Sequence, residues 1–111
     1  MLDDVLNHIE HALNVCGEDH VGIGSDLSTT PIDGSEDYWS AHRQFVAGRI
    51  ERGIAAPNED PDILFTVEDL NSPRRMEMIA DGLALRGHGD RVVEKVIGGN
   101  WVRLFDEIWP S

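Results

Sequence analysis

The chain has 111 residues, 41% of them hydrophobic, and a formal net charge of −12. This suffices for one small domain with a modest core. A field of that sign repels phosphate backbones and anionic lipid surfaces, which argues against nucleic-acid or membrane-surface binding.

The first predicted element is a helix over residues 2–16. Leu2, Val5, Leu6, Ile9, Leu13 and Cys16 follow the 3.6-residue period, with acids on the other side. Asp3 and Asp4 suit its first turn, where the helix dipole favours negative charge, and Gly17 is a natural stop. A polar link, Glu18-Asp19-His20, leads into VGIGS at 21–25, which ends at Asp26. That segment does not alternate apolar and polar residues, the pattern of a strand covered on both faces in a helix-flanked parallel sheet. Helix, short link and apolar strand together make one unit of an α/β fold.

Residues 27–37 are rich in Ser, Thr, Pro, Asp and Gly and read as a loop. Tyr38 to Gly53 is predicted helical, with Trp39, His42, Phe45, Val46 and Ile50 on one side. Residues 54–62 return to loop, and Ile63 to Val67 could be extended. Ser72 offers an N-cap and Pro73 a first helical position for a helix to about Arg86, with Met76, Ile79, Ala80 and Leu83 inward and Gly87 as its end. Asp90 to Ile97 reads as a short helix broken by Gly98-Gly99. Asn100 then caps a last helix expected to bury Trp101, Leu104, Phe105 and Ile108.

The inventory is one strong strand and four or five helices. A lone strand cannot satisfy its own backbone N–H and C=O groups, so the sequence suggests a piece of a larger sheet protein. The remaining candidate groups stay modest. His8 and His11 flank Glu10 at a spacing that is not the H-E-x-x-H of a zinc helix, and read as a solvated surface pair. His20 stands before the strand, where a structural hydrogen bond is expected, and His42 and His88 read as surface residues. Arg74, Arg75 and Arg103 could pair with the many acids, at little gain if exposed. Cys16 reads as a small buried hydrophobe; a single cysteine cannot form an internal disulfide and fits a reducing, cytoplasmic setting. The acids of MLDDVLNHIEH stand where a signal peptide would be basic, so no secretion signal is expected.

Three stretches taken together carry a resemblance. HIEHALNVCGEDHVGIGSD resembles the helix, link and eighth strand of the membrane (renal-type) dipeptidases, the zinc dipeptidases of peptidase family M19. FTVEDLNSPRRM resembles the segment leading to the C-terminal signature, and MEMIADGLALRGHGDRVVEKVIGGNWVRLF resembles that signature itself, an L-x-x-R-G helix end before GGN-x-x-R-x-F. The resemblance covers nearly the whole chain with its blocks in order. It implies a (β/α)8 TIM-like barrel, of which this chain would be the last αβ unit plus C-terminal helices, predominantly helical when isolated. On that reading 1–26 is helix plus strand 8, 27–68 a long loop and helix insertion, and 69–111 the C-terminal helices.

The resemblance further implies two zinc ions, held by residues on earlier strands, that activate water to hydrolyse dipeptides. It gives Asp26 the role of a catalytic and substrate-contacting carboxylate, since active groups of such barrels sit at the C-terminal ends of strands. A bland alternative is that Asp26 only caps the loop after it. The sequence departs from the family at that loop, with SDLSTTPIDG where many members read SDFDG, which leaves substrate preference open. No metal ligand is assigned within these residues, and the chain alone is expected to be inactive. The expected partners are a dipeptide substrate and the missing upstream barrel or a second copy of the chain. Alternatives are a non-catalytic homo-oligomeric interaction domain, or one half of a split enzyme.

Overall fold

The computed structural model describes residues 1–109. Five α-helices follow one another: α1 (Leu2–Cys16), α2 (Glu36–Glu51), α3 (Arg75–Leu85), α4 (Asp90–Glu94) and α5 (Asn100–Ile108), with a short 3₁₀ turn at Glu68–Leu70. The predominantly helical character expected of the chain is observed. Among the described residues no strand forms, so neither 21–25 nor 63–67 is a strand here.

Helix α1 has the predicted limits, and its acids Asp3 and Asp4 occupy the first turn. Part of its N-terminus is satisfied from far away: the Leu2 N–H donates to the Asp69 carboxylate at 2.7 Å. Gly17 ends the helix at φ 82°, where a side chain would be strained. Helix α3 begins three residues later than Ser72, whose hydroxyl accepts the Arg74 N–H at 3.1 Å. Helices α1 and α3 meet through Leu6 and Gly82. A Cβ on residue 82 would stand 2.7 Å from Leu6 Cδ1, so glycine sets how closely the helices approach. Around this contact lies the core: Leu6, Ile9, Val21, Leu70, Ile79, Leu83 and Val96.

Helix α2 starts at Glu36, two residues before the predicted start, because Ser35 caps it by accepting the Tyr38 N–H at 3.1 Å. Only His42 and Val46 of its expected apolar side are buried, while Phe45 and Ile50 are exposed. His42 is therefore not a surface residue. Its Nε2 donates to the Ile63 carbonyl at 2.8 Å, and its ring packs edge-on against Phe65. At the other end of α2, Arg49 grips Glu59 with two 2.8 Å hydrogen bonds, and Glu59 also accepts the Ala56 N–H.

Gly98 and Gly99 do not break the chain into two helices. Lys95–Gly99 forms a π turn that carries α4 directly into α5, with Gly99 and Asn100 in right-handed helical geometry. A Cβ at 99 would crowd the Glu94 carbonyl at 3.2 Å, so glycine accommodates the wide turn. Asn100 is thus helical and is not a cap. Its side-chain amide donates instead to the carbonyls of Glu18 and Val21, both at 2.8 Å. The burial expected for α5 is also corrected: Trp101, Leu104, Phe105, Ile108 and Trp109 are between 36% and 69% exposed, and no other element among the described residues covers that face. Trp101, Phe105 and Trp109 stack along it. Cys16 lies on the exposed side of α1. The chain exposes 7863 Å², against roughly 6,100 Å² for a compact chain of its mass.

Two expectations follow. Asn100→Ala leaves two carbonyls without their donor and should cost about 2 kcal/mol in urea unfolding. Glu59 is held down to about 2 from an ordinary 4.5, first by Arg49 and then by the Ala56 N–H. A lowered carboxylate stabilises fully above its ordinary value and loses that contribution as pH falls toward the lowered one. The α2 clamp should therefore loosen between pH 4.5 and about 2, read from the Ala56 amide shift, and Glu59→Gln should remove that titration.

Candidate functional site at the end of the VGIGS segment

Residues 21–26 have a burial pattern that the sequence did not announce. Val21 is buried, Ile23 and Ser25 are half-buried, and Gly22, Gly24 and Asp26 are exposed. One side of the segment packs on the helices, and the other side carries two glycines and a carboxylate. The segment is fixed to the helix α5 end by Asn100, which holds Val21, and by Trp101, whose indole N–H reaches the Ile23 carbonyl at 3.2 Å. A Cβ at residue 22 would stand 2.6 Å from that indole nitrogen, so only glycine lets Trp101 approach. Among the described residues, the backbone N–H groups of residues 21–26 find no acceptor.

Asp26 closes the segment at φ 52°, in the left-handed region that aspartate tolerates better than most residues. It turns the chain into the loop and borders a surface depression shared with Ser28, Tyr38, Asn71 and Arg75. Two side chains from the 70–75 segment shape this loop. Asn71 accepts the Ile32 N–H at 2.8 Å and returns its own N–H to the Ile32 carbonyl at 2.7 Å. Arg75 donates from Nη1 to the Ser28 carbonyl at 2.9 Å and from Nε to the Leu70 carbonyl at 3.2 Å. Further along, the Ser35 backbone N–H, and then its hydroxyl, hold the Asp33 carboxyl below its usual range.

The candidate residues scatter otherwise. His8, His11 and His20 are exposed, and the His20 ring makes no structural hydrogen bond among the described residues. His88 is not isolated: its Nε2 meets Glu10 at 2.9 Å, and with Arg86 it lowers the Glu10 pKa. Arg74 pairs with Glu77, and Arg103 binds the Asp19 carbonyl at 2.7 Å. No three His, Cys, Asp or Glu side chains among the described residues converge as a metal site. No described helix is long and apolar enough to cross a membrane.

The residues that sequence reasoning missed are Asn71 and Arg75. A signal for Arg75 was present. It precedes Ile79 by four residues and Leu83 by eight, which puts a guanidinium on the apolar stripe of α3.

Comparison with known proteins gives the family. The profile of the membrane dipeptidases (peptidase family M19) matches residues 1–59, which contain α1, the VGIGS segment, Asp26 and α2. The chain belongs to the membrane dipeptidase family. Its relatives extend the likeness past residue 59. It is 30% identical over 117 aligned positions to a protein of Schizosaccharomyces pombe described as an uncharacterized dipeptidase, covering 99% of this chain and 27% of that one. It is 37% identical over 59 residues to Dipeptidase tcpJ of Claviceps purpurea (51% of this chain, 14% of that one). It is 24% identical over 110 residues to a protein from the pqqA 5' region of Klebsiella pneumoniae (99% and 28%). The chain thus spans less than a third of each of these relatives. No solved structure matches it.

The loop anchoring can be checked directly. Asn71→Ala should speed amide exchange at Ile32 by roughly tenfold, the effect of losing about 1.4 kcal/mol of local protection, while exchange in the α1–α3 core stays unchanged.

Proposed function

We propose that this chain is the C-terminal part of a zinc-dependent dipeptide hydrolase with a (β/α)8 barrel, to which it contributes Asp26 and one wall of the active site. The observation that carries the reading is the alternation along residues 21–26, with Val21, Ile23 and Ser25 toward the helices and Gly22, Gly24 and Asp26 on the open side. A barrel strand alternates in this way between its helical shell and its interior. The unused N–H groups of the segment are what neighbouring strands would take up. The surface in excess of a compact chain of this mass supports a large further interface.

In this role Asp26 contacts the substrate and carries a proton between water and the leaving amine. Asp26 is exposed in a left-handed backbone geometry, two residues before the Ser28 carbonyl that Arg75 holds. The zinc ligands would come from other parts of a full-length dipeptidase. The free, exposed Cys16 fits a reducing, cytoplasmic setting.

A second reading rests on the aromatic face of α5. That face suits a homo-oligomeric interaction domain without catalysis. Sedimentation separates the two: a cooperatively folded oligomer of the isolated chain favours the domain. Co-purification with a separate chain supplying the other strands would indicate a split enzyme.

The test of catalysis has two arms. The isolated chain, given Zn²⁺ and a panel of dipeptides, should show no turnover, and robust turnover overturns the fragment reading. In a full-length dipeptidase carrying this sequence, Asp26→Asn should lower kcat by about 10²-fold or more. Full activity in that variant would remove Asp26 from the mechanism.

A further inference from the structure

Helix α5 carries an apolar face whose place is set by what Trp101 touches. Trp101, Leu104, Phe105 and Ile108 stand at i, i+3, i+4 and i+7 on one side of the helix, and all are exposed. The helix is held at the beginning of the 21–26 segment. Asn100 donates to the Glu18 and Val21 carbonyls, Arg103 to the Asp19 carbonyl and Trp101 to the Ile23 carbonyl. A Cβ on Gly22 would run into the Trp101 indole, 2.6 Å from its nitrogen, whereas a Cβ on Gly24 would meet nothing within 4 Å. The indole therefore lies on the side of the segment that carries Gly22, Gly24 and Asp26. Four residues separate Gly22 from Asp26, about 13 Å of extended backbone. Trp101 covers one end of the open side, and the carboxylate stands at the other.

We infer that α5 closes the barrel at the N-terminal ends of its strands, and that its aromatic face seats the part of a full-length dipeptidase that supplies the other strands. This rests on the barrel reading and adds to it the surface on which the two parts of the polypeptide meet. The interior of such a barrel is filled by layers of side chains from its strands. Gly22 contributes none, and the Trp101 indole takes its place from a separate helix. Phe105 and Trp109 continue the stack from Trp101, which carries the same apolar layer on toward the neighbouring strands. The chain makes up only 27% and 28% of two of its relatives, so a full-length protein has ample polypeptide to cover the face. A second copy of the chain suits the face poorly. The five apolar side chains of α5 expose roughly 500 Å² together, on the scale of 150–250 Å² for a whole aromatic side chain. Two copies meeting there would bury about 1,000 Å², short of the roughly 1,200–2,000 Å² of a stable interface. They would also bring together two net charges of −12.

Hydroxyl-radical footprinting read by mass spectrometry, on the isolated chain and on a full-length dipeptidase carrying this sequence, tests this. Trp101, Phe105 and Trp109 should be oxidised readily in the isolated chain and about tenfold more slowly in the full-length protein, where the interface excludes water. Equal oxidation in the two overturns the docking. So does protection in the isolated chain that rises with its concentration, the mark of a second copy. Ile108→Glu gives an independent readout. It should change the urea midpoint of the isolated chain little, since Ile108 is exposed there, and lower that of the full-length protein. An equal effect on both overturns the docking. If the full-length variant does not fold, the footprint of the unchanged protein still decides. Protected α5 in a full-length protein without dipeptidase activity would support the docking and remove the hydrolase reading. Unprotected α5 beside hydrolysis that depends on Asp26 would remove the docking alone.

Discussion

The side-chain amide of Asn100 is the contact on which the arrangement depends. It bridges the carbonyls of Glu18 and Val21, residues near the start of the chain, from the first turn of the last helix. It is 7% exposed, so those bonds are made where water competes poorly. Trp101 adds its own bond to Ile23 in the next turn of the segment. Together they set the path of residues 21–25 against the helices, which determines the side on which Asp26 emerges. The GGN of the π turn is therefore a fastener for the VGIGS segment, and the two most recognisable motifs of the chain are parts of one device.

Charge is distributed to serve the same packing. Acids outnumber basic residues by 21 to 9, and the cations are used as cross-links between segments distant in sequence. Arg86 joins the end of α3 to Asp3, Asn7 and Glu10 on α1. Lys95 and Arg103 tie the π turn and α5 to Glu18 and Asp19. Lys95 lowers the pKa of both acids, chiefly by hydrogen bonding. Most such pairs are partly solvated, and their energetic return is small. Their value is orientation: Arg86 sets the end of α3 on α1, and Lys95 and Arg103 set the last helical stretch on the 17–20 link.

What could be read from the sequence follows from which forces are local. Helices α1 and α3 were legible because their apolar stripes are packed within this chain, on each other. Helix α5 has an equally clear stripe, but the stripe specifies a face and not what covers it; hence Trp101, Leu104 and Phe105 were expected inside and stand outside. The VGIGS segment failed as a strand because a strand is defined by neighbours, and none lies among the described residues. Gly98 and Gly99 misled because glycine permits a helix end without requiring one, and a π turn uses the same freedom. His42, Cys16 and His88 were misassigned for a common reason: burial of a single polar side chain depends on what folds over it, as Ile63 and Phe65 do over His42. For the candidate site, Asp26 was proposed from its place after the apolar run, while Asn71 and Arg75 needed the fold to bring residues 39 and 47 positions apart into contact.

The open run of N–H groups at residues 21–26 also has a history in time. Its fasteners lie 79 residues downstream of Val21 and 78 downstream of Ile23. At a synthesis rate of roughly 5–20 residues per second, that separation is a wait of about 4–16 s on the ribosome. Throughout it, a glycine-rich, apolar stretch with unpaired backbone groups stands free in a nascent chain, the kind of edge that invites wrong pairing. The surrounding acids supply the protection available at that stage. Asp19 and Asp26 bracket the stretch with negative charge, and mutual repulsion would keep two such nascent chains apart until Asn100 arrives.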